Sequence, residues 1–391
     1  MMKIPLNPPF SKGEIRYPPF RKGGVRGDLK GYFRVKDNTT IKNVLVVAPN
    51  WIGDAVLALP AIARVRKLLP SSRITISGLP HICELFRESP YVNDMRIYSG
   101  SLLSTVSDIK KCGFDLAILF PNSFRTALIV HLANIPLRCG YSRDGRGVML
   151  NIPVKVDIQT KRLSQIEYYQ NIVSSMVDGL GRSAKSGDFA VRSTKEWLYL
   201  SKDELKHGKE ILLNNNIPVD SLIIGINPGA AYGSAKRWYP ERYALISRTL
   251  VNKYGAKVII FGSQQEMDIA AEIVNLSQVP VISMAGKTSI RELMSLIKQC
   301  SIFVTNDSGP MHIAAALNIP IVAIFGSTDP EKTGPMGNNH IVIKKDVDCS
   351  PCFKRKCPTD LRCMDLIKVE DVLTGVERIL SNMKIPLNPP F

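Results

Sequence analysis

The stretch VLVVAPNWIGDAVLALPAI, residues 44–62, joins a run of apolar residues to a second apolar segment through a short turn. One acid, Asp54, lies in that turn. Similar apolar runs alternate with helical patterns along most of the chain. Because uninterrupted apolar strands are typical of parallel sheets that are covered on both faces, the pattern predicts an α/β fold.

The apolar runs fall into two groups, and each group is expected to form one sheet. The first group is 44–49, 73–77, 95–98, 116–120 and 138–141, and the second is 222–226, 257–261, 281–284, 302–305 and 319–325. Helical patterns lie at 54–69, 82–87, 103–112, 124–133, 164–180, 240–254, 266–275, 289–299, 309–317 and 369–382. With a linker near 181–200, this order predicts two Rossmann-like, doubly wound domains that face a cleft.

The two ends of the chain differ from the rest in composition. Residues 1–36 hold nine Lys and Arg against two acids, which is +7 of the formal net charge of +17. The peptide MKIPLNPPF occurs at 2–10 and again at 383–391. It has no helical or strand period, so we expect 1–40 and 383–391 to be disordered appendages. The basic N-terminal segment also leaves open a nucleic-acid-binding or lipid-binding arm.

The charge and hydropathy of the remaining chain restrict its location and partners. The positive charge that remains suits an anionic substrate or an anionic membrane surface. No run of 18 apolar residues and no secretory signal is visible, so we expect a cytoplasmic protein.

The loops after the strands are the expected ligand site, because ligands of such sheets bind beyond the carboxyl ends of the strands. In TNDSGPMHIAAAL, residues 305–317, Asp307 or Ser308 is a candidate helix N-cap and Gly309 allows close approach of a ligand. A helix N-terminus there would bind an anion, with His312 one turn further on. The alternative is an ordinary cap and a core histidine.

Two further loops carry polar side chains after strands. In NPGAAYGSAKRWYPERY, residues 227–243, Lys236 is suited to neutralise a phosphate and Arg237 to bind oxygens in a bidentate manner, although a solvated basic turn is the alternative. In FGSQQE, residues 261–266, a polar side chain is placed to reach a ribose or a base, and the alternative is a capping turn.

Asp54 itself allows two interpretations, a helix N-cap and a catalytic carboxylate. Pro60 follows six residues later, so the helix predicted at 54–69 is either kinked or begins later than its apolar pattern suggests.

Four cysteines cluster late in the chain. Cys349, Cys352, Cys357 and Cys363 have the spacing C-x2-C-x4-C-x5-C, which is compatible with zinc. The second pair lacks the tight C-x2-C spacing and four cations lie within the segment. We therefore favour free thiols or a redox-sensitive loop and keep the metal site as the weaker alternative.

Five motifs occur in a fixed order, PNWIGD at 49–54, PNSFRTAL at 121–128, PGAAYGSAKRW at 228–238, FGSQQE at 261–266 and TNDSGPMHIAAAL at 305–317. Together they resemble the lipopolysaccharide (LPS) heptosyltransferases over roughly residues 43–380, and the spellings AKRW and NDSG are similar to type II enzymes. The resemblance implies an inverting glycosyltransferase of the GT-B architecture. Its donor would be ADP-L-glycero-β-D-manno-heptose and its acceptor the first heptose of the LPS inner core.

The same resemblance implies roles for individual residues. Asp54 would be the general base and Lys236 would bind the diphosphate. The ADP-sugar site would comprise Gly229, Lys236, Gln264, Glu266, Asp307, Ser308, Gly309 and His312. The acceptor side would comprise Trp51, Gly53, Asn122, Ser123 and Arg125. Physical chemistry agrees with these roles, because cations and helix N–H groups stabilise a leaving diphosphate without a metal.

The resemblance also implies which part of the chain binds each substrate. Residues 41–190 would be the acceptor-binding domain and 200–382 the ADP-sugar-binding domain. We expect no cofactor, no nucleic acid, a monomer, and peripheral contact with the cytoplasmic face of the inner membrane. The alternatives are a type I or type III enzyme with a different acceptor, a non-catalytic sugar-nucleotide binder, and a basic nucleic-acid-binding protein.

Overall fold

A computed structural model describes residues 41–97, 100–181 and 196–383 of the chain. It contains two parallel six-stranded sheets, each flanked by helices, and the predicted α/β fold is confirmed. The appendages were predicted at 1–40 and 383–391, and of these residues all but Met383 lie outside the described part of the chain. Within the described ranges, no helix combines the length and the apolar character needed to cross a bilayer.

The first sheet has the strand order β3-β2-β1-β4-β5-β6. Its strands are β1 Asn43–Val47, β2 Arg73–Gly78, β3 Asp94–Ile97, β4 Leu116–Leu119, β5 Leu137–Tyr141 and β6 Ile152–Val154. The helices in this half are α1 Ile52–Leu57, α2 Leu59–Leu68, α3 Pro80–Cys83, α4 Leu102–Lys110, α5 Phe124–Leu132 and α6 Gln165–Gly179. Short 3-10 helices lie at Glu84–Phe86, Arg146–Met149 and Thr160–Arg162.

The second sheet has the strand order β12-β11-β10-β7-β8-β9. Its strands are β7 Ile223–Asn227, β8 Lys257–Ile260, β9 Val281–Ser283, β10 Ile302–Asn306, β11 Ile321–Phe325 and β12 His340–Lys344. The helices are α7 Lys202–Asn214, α8 Pro240–Tyr254, α9 Met267–Ser277, α10 Ile290–Gln299, α11 Gly309–Ala316, α12 Pro330–Thr333, α13 Arg362–Asp365 and α14 Val369–Asn382. Single-turn 3-10 helices lie at Ser234–Lys236 and Gln264–Glu266.

Several elements were not expected from the sequence, among them the strands β6 and β12 and the helix α7. The strands β6 and β12 are edge strands, and an edge strand needs no uninterrupted apolar run because part of it faces solvent. Helix α7 lies just beyond the predicted linker, and its sequence KDELKHGKEILLN is too charged to show a strong apolar face. Leu212 and Gly208 of this helix are buried, and Ser201 and Glu204 form a capping box at its start. The proposed domain boundaries remain predictions.

The helix predicted at 54–69 is two helices. The first, α1, ends at Leu57, and α2 begins at Leu59 with Pro60 in its first turn. Proline lacks the N–H that a continuous helix would use, but the first turn of a helix does not need that group. Pro60 therefore separates the short helix that carries Asp54 from the longer helix behind it.

A buried guanidinium ties elements of the two halves together. Arg291 on α10 is 5% exposed and pairs with Glu204 on α7 at 2.5 Å. It also donates to the carbonyl oxygen of Glu84, at 3.2 Å, in the first half of the chain. Arg87 approaches the other oxygen of Glu204 at 2.8 Å. These hydrogen bonds hold the pKa of Glu204 down, at about 2.

Substitution Arg291→Ala is expected to destabilise the fold by about 3–5 kcal/mol, because it leaves Glu204 without its main partner in a mostly buried position. Urea denaturation measures the change. The matched control is Lys253→Ala in the exposed pair with Glu377, where the loss of stability should be much smaller because exposed ion pairs contribute little. Equal losses in the two variants would show that the buried pair has no special role.

Candidate functional site

Asp54 lies in the first turn of α1, and its carboxylate faces α6 and the second half of the chain. The residue before the helix is Trp51, so the interpretation of Asp54 as the N-cap is wrong. The Asp54 Oδ1 atom accepts a hydrogen bond of 3.2 Å from the hydroxyl of Tyr169 on α6. An acid in the first turn is also favoured by the helix dipole. Because Asp54 makes no capping hydrogen bond among the described residues, its oxygens stay available for other partners.

The pKa of Asp54 is raised above its ordinary value. Burial is the main cause, because a charged carboxylate is poorly solvated there, and the negative charge of Asp307 acts in the same direction. The Tyr169 hydroxyl and the positive charge of Lys236 oppose the rise. Both Lys236 and Asp307 belong to the second half of the chain, so the pKa of Asp54 depends on charges across the contact between the halves.

Lys236 and Asp307 form an ion pair on the second half. Lys236 ends the 3-10 helix Ser234–Lys236, and its Nζ atom lies 2.5 Å from Oδ2 of Asp307, which follows β10. The Thr328 hydroxyl donates to the same oxygen at 2.7 Å. The two charged side chains are only 13% and 4% exposed. The structure thus brings together Asp54, Lys236 and Asp307, which are far apart in the sequence.

Helix α11 begins beside this pair with Ser308 at its N-cap position. Among the described residues, the Ser308 side chain makes no capping bond to the helix. Its hydroxyl instead lies 3.2 Å from Nδ2 of Asn227 and 3.1 Å from Oγ1 of Thr305. The N–H groups of the first turn have no acceptor within the helix itself, which is the arrangement that binds anions.

His312 is buried one turn into α11. Burial lowers its pKa to about 4, against the opposing charge of Asp307, so the imidazole is neutral near pH 7. Its Nε2 atom lies 4.0 Å from Asp307 Oδ1, and its Nδ1 atom has no hydrogen-bond partner in the part of the chain that the structure describes. The predicted alternative of an ordinary core histidine explains the burial but not the unpartnered nitrogen.

Helices α1 and α11 approach each other through two glycines. A Cβ added to Gly53 would lie 2.8 Å from Cδ2 of His312. A Cβ added to Gly309 would lie 3.1 Å from Cβ of Ile52. Only glycine at these positions lets the two backbones come this close without displacing a neighbour. The loop that carries Asp54 therefore lies directly against the start of α11.

The residues predicted on the acceptor side follow β4. Ser123 caps α5, because its Oγ atom accepts from the Thr126 N–H at 3.4 Å. Asn122 donates to the Tyr168 hydroxyl at 2.8 Å and accepts from Arg146 at 3.3 Å. Arg125 is exposed, in the first turn of α5. Trp51 follows β1 and is 51% exposed. Because β1 and β4 are neighbouring parallel strands, Trp51, Asn122 and Arg125 all lie beyond the carboxyl ends of the same sheet.

Tyr169 and Arg146 were missed by sequence reasoning. Arg146 is fully buried and donates to the carbonyl oxygens of Tyr141, at 2.7 Å, and Ser123, at 3.2 Å. Burial lowers its pKa, and the surrounding carbonyls partly replace lost solvation. Tyr169 and Asp54 are 115 residues apart in sequence, so no local pattern indicates that they meet. The only available signal was a tyrosine pair at 168–169 within an apolar helical stretch.

The loop FGSQQE forms the capping turn that was the alternative prediction. The Glu266 carboxylate accepts from the Ser263 N–H at 2.8 Å and from the Ser263 hydroxyl at 2.9 Å. The same carboxylate lies against Gly229, where an added Cβ would come within 2.0 Å of Oε1. Gln264 is exposed at the start of the turn. Contact of either side chain with a nucleotide remains a prediction.

The cysteine segment lies against the loop of residues 227–243 rather than apart from it. The N–H of Ala235 donates to the Arg355 carbonyl at 3.0 Å, and the Tyr232 hydroxyl donates to the Phe353 carbonyl at 2.7 Å. Cys349 is exposed, Cys352 and Cys357 are half-buried, Cys363 is buried, and all four are free thiols. No group of three or more ligating side chains within the described ranges is arranged to hold a metal, so this structure gives the zinc alternative no support.

A cavity of about 650 Å³ lies elsewhere, between β2, β3 and α4. Its lining includes Arg73, Ser77, Arg96 and Asp108. It contains none of the predicted site residues. We place the functional site at the α1–α11 contact instead, because the buried charges and the helix N-terminus are there.

Two Rossmann-like sheets, with the uncapped start of α11 at their contact, are typical of nucleotide-sugar-dependent glycosyltransferases with the GT-B architecture. The sequence profile of glycosyltransferase family 9, described as heptosyltransferase, matches residues 102–362. The chain belongs to this family and is a glycosyltransferase.

Individual relatives agree with the family assignment. Lipopolysaccharide heptosyltransferase 2 of Salmonella typhimurium is 31% identical over 317 residues, which cover 77% of this chain and 87% of that protein. The Escherichia coli K12 protein of the same name is 30% identical over 316 residues, with coverage of 77% and 87%. The solved structure of E. coli ADP-heptose LPS heptosyltransferase II has a TM-score of 0.74 and 25% identity, and the match covers 88% of this chain and 99% of that one.

Substitution Gly53→Ala is expected to destabilise the protein by roughly 1–3 kcal/mol and to lower glycosyl transfer, because the new methyl group meets the buried His312 ring. Thermal unfolding and turnover are measured together. The control Gly78→Ala places its Cβ no closer than 3.3 Å to Ile82, so its loss of stability should be smaller and turnover should be kept. Unchanged turnover in Gly53→Ala would show that the α1–α11 contact does not position the site.

Proposed function

We propose that the chain transfers L-glycero-D-manno-heptose from ADP-L-glycero-β-D-manno-heptose to the first heptose of the LPS inner core, with inversion at the anomeric carbon. The observation that carries the proposal is the meeting of Asp54 with the Lys236–Asp307 pair and the uncapped start of α11. The names of the relatives, LPS heptosyltransferase 2, support the sugar and the acceptor.

On the donor side, Lys236 is the cation placed to receive the diphosphate. It is held by Asp307 and lies within reach of the first turn of α11. The diphosphate would share Lys236 with Asp307 and accept hydrogen bonds from the free N–H groups of that turn. As the bond between sugar and ADP breaks, negative charge grows on the leaving oxygen, and these fixed donors stabilise it. In this scheme neither a metal nor a cofactor is required.

On the acceptor side, Asp54 is the general base. The acceptor hydroxyl oxygen forms a bond to the anomeric carbon, the bond to the ADP oxygen breaks with its electron pair, and the hydroxyl proton moves to Asp54. A pKa raised by burial makes the carboxylate a stronger base. Lys236 and Tyr169 act in the opposite direction and favour its ionised form. A carboxylate in this place also favours the positive charge that develops on the sugar.

His312 is proposed to contact the donor as a neutral group. Its lowered pKa means that it adds no charge to the site near pH 7. The Nδ1 atom has no partner among the described residues, so it is available to one polar atom of the bound ADP-sugar. We place the adenosine beside the loop of residues 261–266, which contains Gln264 and Glu266. Gly229 of the loop 227–243 lies against Glu266 and would border the same space.

The acceptor is proposed to lie along the loops after β1 and β4. Trp51 would form one wall, and Asn122 and Ser123 would hold the loop in place. Arg125 is exposed and suited to an anionic group of the acceptor, either a phosphate or a Kdo carboxylate. Because the acceptor is a glycolipid, we place the enzyme, as a monomer, at the cytoplasmic face of the inner membrane.

The acceptor assignment is tested by ADP release from ADP-heptose. Kdo2-lipid A is compared with its monoheptosylated form, and we expect transfer to the second acceptor. Transfer to Kdo2-lipid A alone would indicate a type I enzyme. No release of ADP with either acceptor would contradict heptosyl transfer to the inner core.

The same assay tests the base, through Asp54→Asn. Turnover should fall by roughly 10²–10⁴-fold, because no other carboxylate is assigned to take the acceptor proton. Binding of ADP should change little, since the Lys236–Asp307 pair is kept. The exposed Asp220→Asn variant serves as control and should turn over normally. Normal turnover in Asp54→Asn would remove Asp54 from the mechanism.

Tyr169→Phe tests how Asp54 is kept ionised. The hydroxyl stabilises the carboxylate, so its removal should raise the pKa of Asp54 and move the acid limb of the kcat/KM profile to higher pH. Near that limb activity should fall about tenfold, as for a lost hydrogen bond to a charged group. The control is Tyr168→Phe, whose hydroxyl contacts Asn122 instead and should leave the limb in place. An unmoved limb in both variants would rule out this role for Tyr169.

A further inference from the structure

Three apolar side chains are exposed on consecutive loops of the first half of the chain. Phe124 is 50% exposed, Val148 is 88% exposed and Ile158 is 72% exposed. Phe124 begins α5 after β4, Val148 lies in the 3-10 helix after β5, and Ile158 follows β6. A single exposed apolar residue needs no explanation, but three at related positions do.

The three loops share one edge of the first sheet. Strands β4, β5 and β6 are parallel neighbours, so the loops that follow them emerge side by side. These loops lie at the carboxyl ends of the strands, as does the loop with Trp51 and Asp54 after β1. Phe124, Val148 and Ile158, which we call the apolar tips, therefore project at the edge where the acceptor is proposed to bind.

The exposure of Val148 is built into the fold. Its neighbours Arg146 and Met149 in the same 3-10 helix are buried. Arg146 is fixed by hydrogen bonds to the carbonyl oxygens of Tyr141 and Ser123. Because both neighbours point inward, the short helix has to present Val148 to solvent.

The same loops carry more cations than acids. Exposed basic residues are Arg125, Arg143, Lys155, Lys161 and Arg162, and the exposed acids in residues 124–162 are Asp144 and Asp157. The Asp157 carboxylate is already used by the Thr160 N–H and hydroxyl, each at 2.7 Å. Cations thus surround the apolar tips, and this mixture differs from the core of a protein interface, where charged residues are depleted.

We propose that the apolar tips and the surrounding cations dock this edge of the first sheet on an anionic phospholipid bilayer. The apolar tips insert at the boundary between headgroups and acyl chains, and the cations meet lipid phosphates. The inference rests on the proposed function, because docking at this edge brings a glycolipid acceptor to the side of the sheet that carries Asp54. It adds which surface meets the membrane.

The test uses the full chain and vesicles of equal parts phosphatidylglycerol and phosphatidylcholine, with pure phosphatidylcholine vesicles as the neutral arm. The combined variant Phe124→Ser, Val148→Ser and Ile158→Ser should lower co-sedimentation with the anionic vesicles by about tenfold or more. The matched control changes Leu213, Leu245 and Leu276 to serine. These leucines are 56%, 45% and 40% exposed in the second half of the chain, and binding should stay within about twofold of the parent.

Both triple variants keep the basic N-terminal segment, so any contribution of that segment to lipid binding is the same in both. A second variant, Arg143→Glu with Arg162→Glu, tests the charge component without touching the apolar tips and should also lower binding to anionic vesicles. Equal binding of the parent and both edge variants, or equal losses in the edge triple and the control triple, would overturn the proposal.

Transfer to a lipid-free inner-core oligosaccharide separates this inference from the proposed function. The edge triple should keep that transfer, since none of its residues is assigned to the site. If the parent protein transfers heptose to the oligosaccharide but does not bind anionic vesicles, the docking surface is wrong and the proposed function stands. If it binds vesicles but transfers no heptose, the proposed function fails and the surface stands.

Discussion

The close approach of α1 to α11 is the constraint on which the rest of the site depends. Gly53 and Gly309 add no side chain of their own to this contact, so the turn with Asp54 lies against the helix start beside Lys236 and Asp307. Each half of the chain supplies only part of the charged cluster. A Cβ at either glycine meets His312 or Ile52, so that neighbour would have to shift. Backbone packing between α1 and α11 therefore sets the geometry of the site.

Electrostatics follow from that packing. Lys236 acts on two carboxylates. It pairs directly with Asp307, and its positive charge opposes the rise in the pKa of Asp54. Burial acts on all three groups, and a buried charge is tolerated only when a partner compensates it. His312 is kept neutral by the same burial, so it does not compete with Lys236 for the carboxylates. The arrangement holds one positive charge where an anionic diphosphate is proposed to bind.

Sequence patterns predicted the elements that are rich in uninterrupted apolar residues. The strands of both sheet interiors, and helices such as α8 and α14, lie where the pattern placed them. Edge strands β6 and β12 and the charged helix α7 were missed, because partly exposed elements carry a weaker apolar signal. Pro60 predicted a kink or a late start of the first helix, and the structure has two helices that meet there, since proline acts through its own local geometry. The N-cap interpretation of Asp54 was wrong, because capping depends on where a helix begins, and that boundary is poorly marked in sequence.

The sequence by itself determined the α/β class, the two sheets, and the loops in which Asp54, Lys236, Asp307 and His312 lie. These follow from local periodicity and from the rule that ligands bind beyond the carboxyl ends of parallel strands. Only the tertiary structure decided that Asp54 meets Tyr169, that Arg146 holds the loop after β4, and that the cysteine segment lies on the loop of residues 227–243. Such contacts join residues far apart in the chain, and they depend on how whole elements pack. No spacing within a single segment encodes that packing.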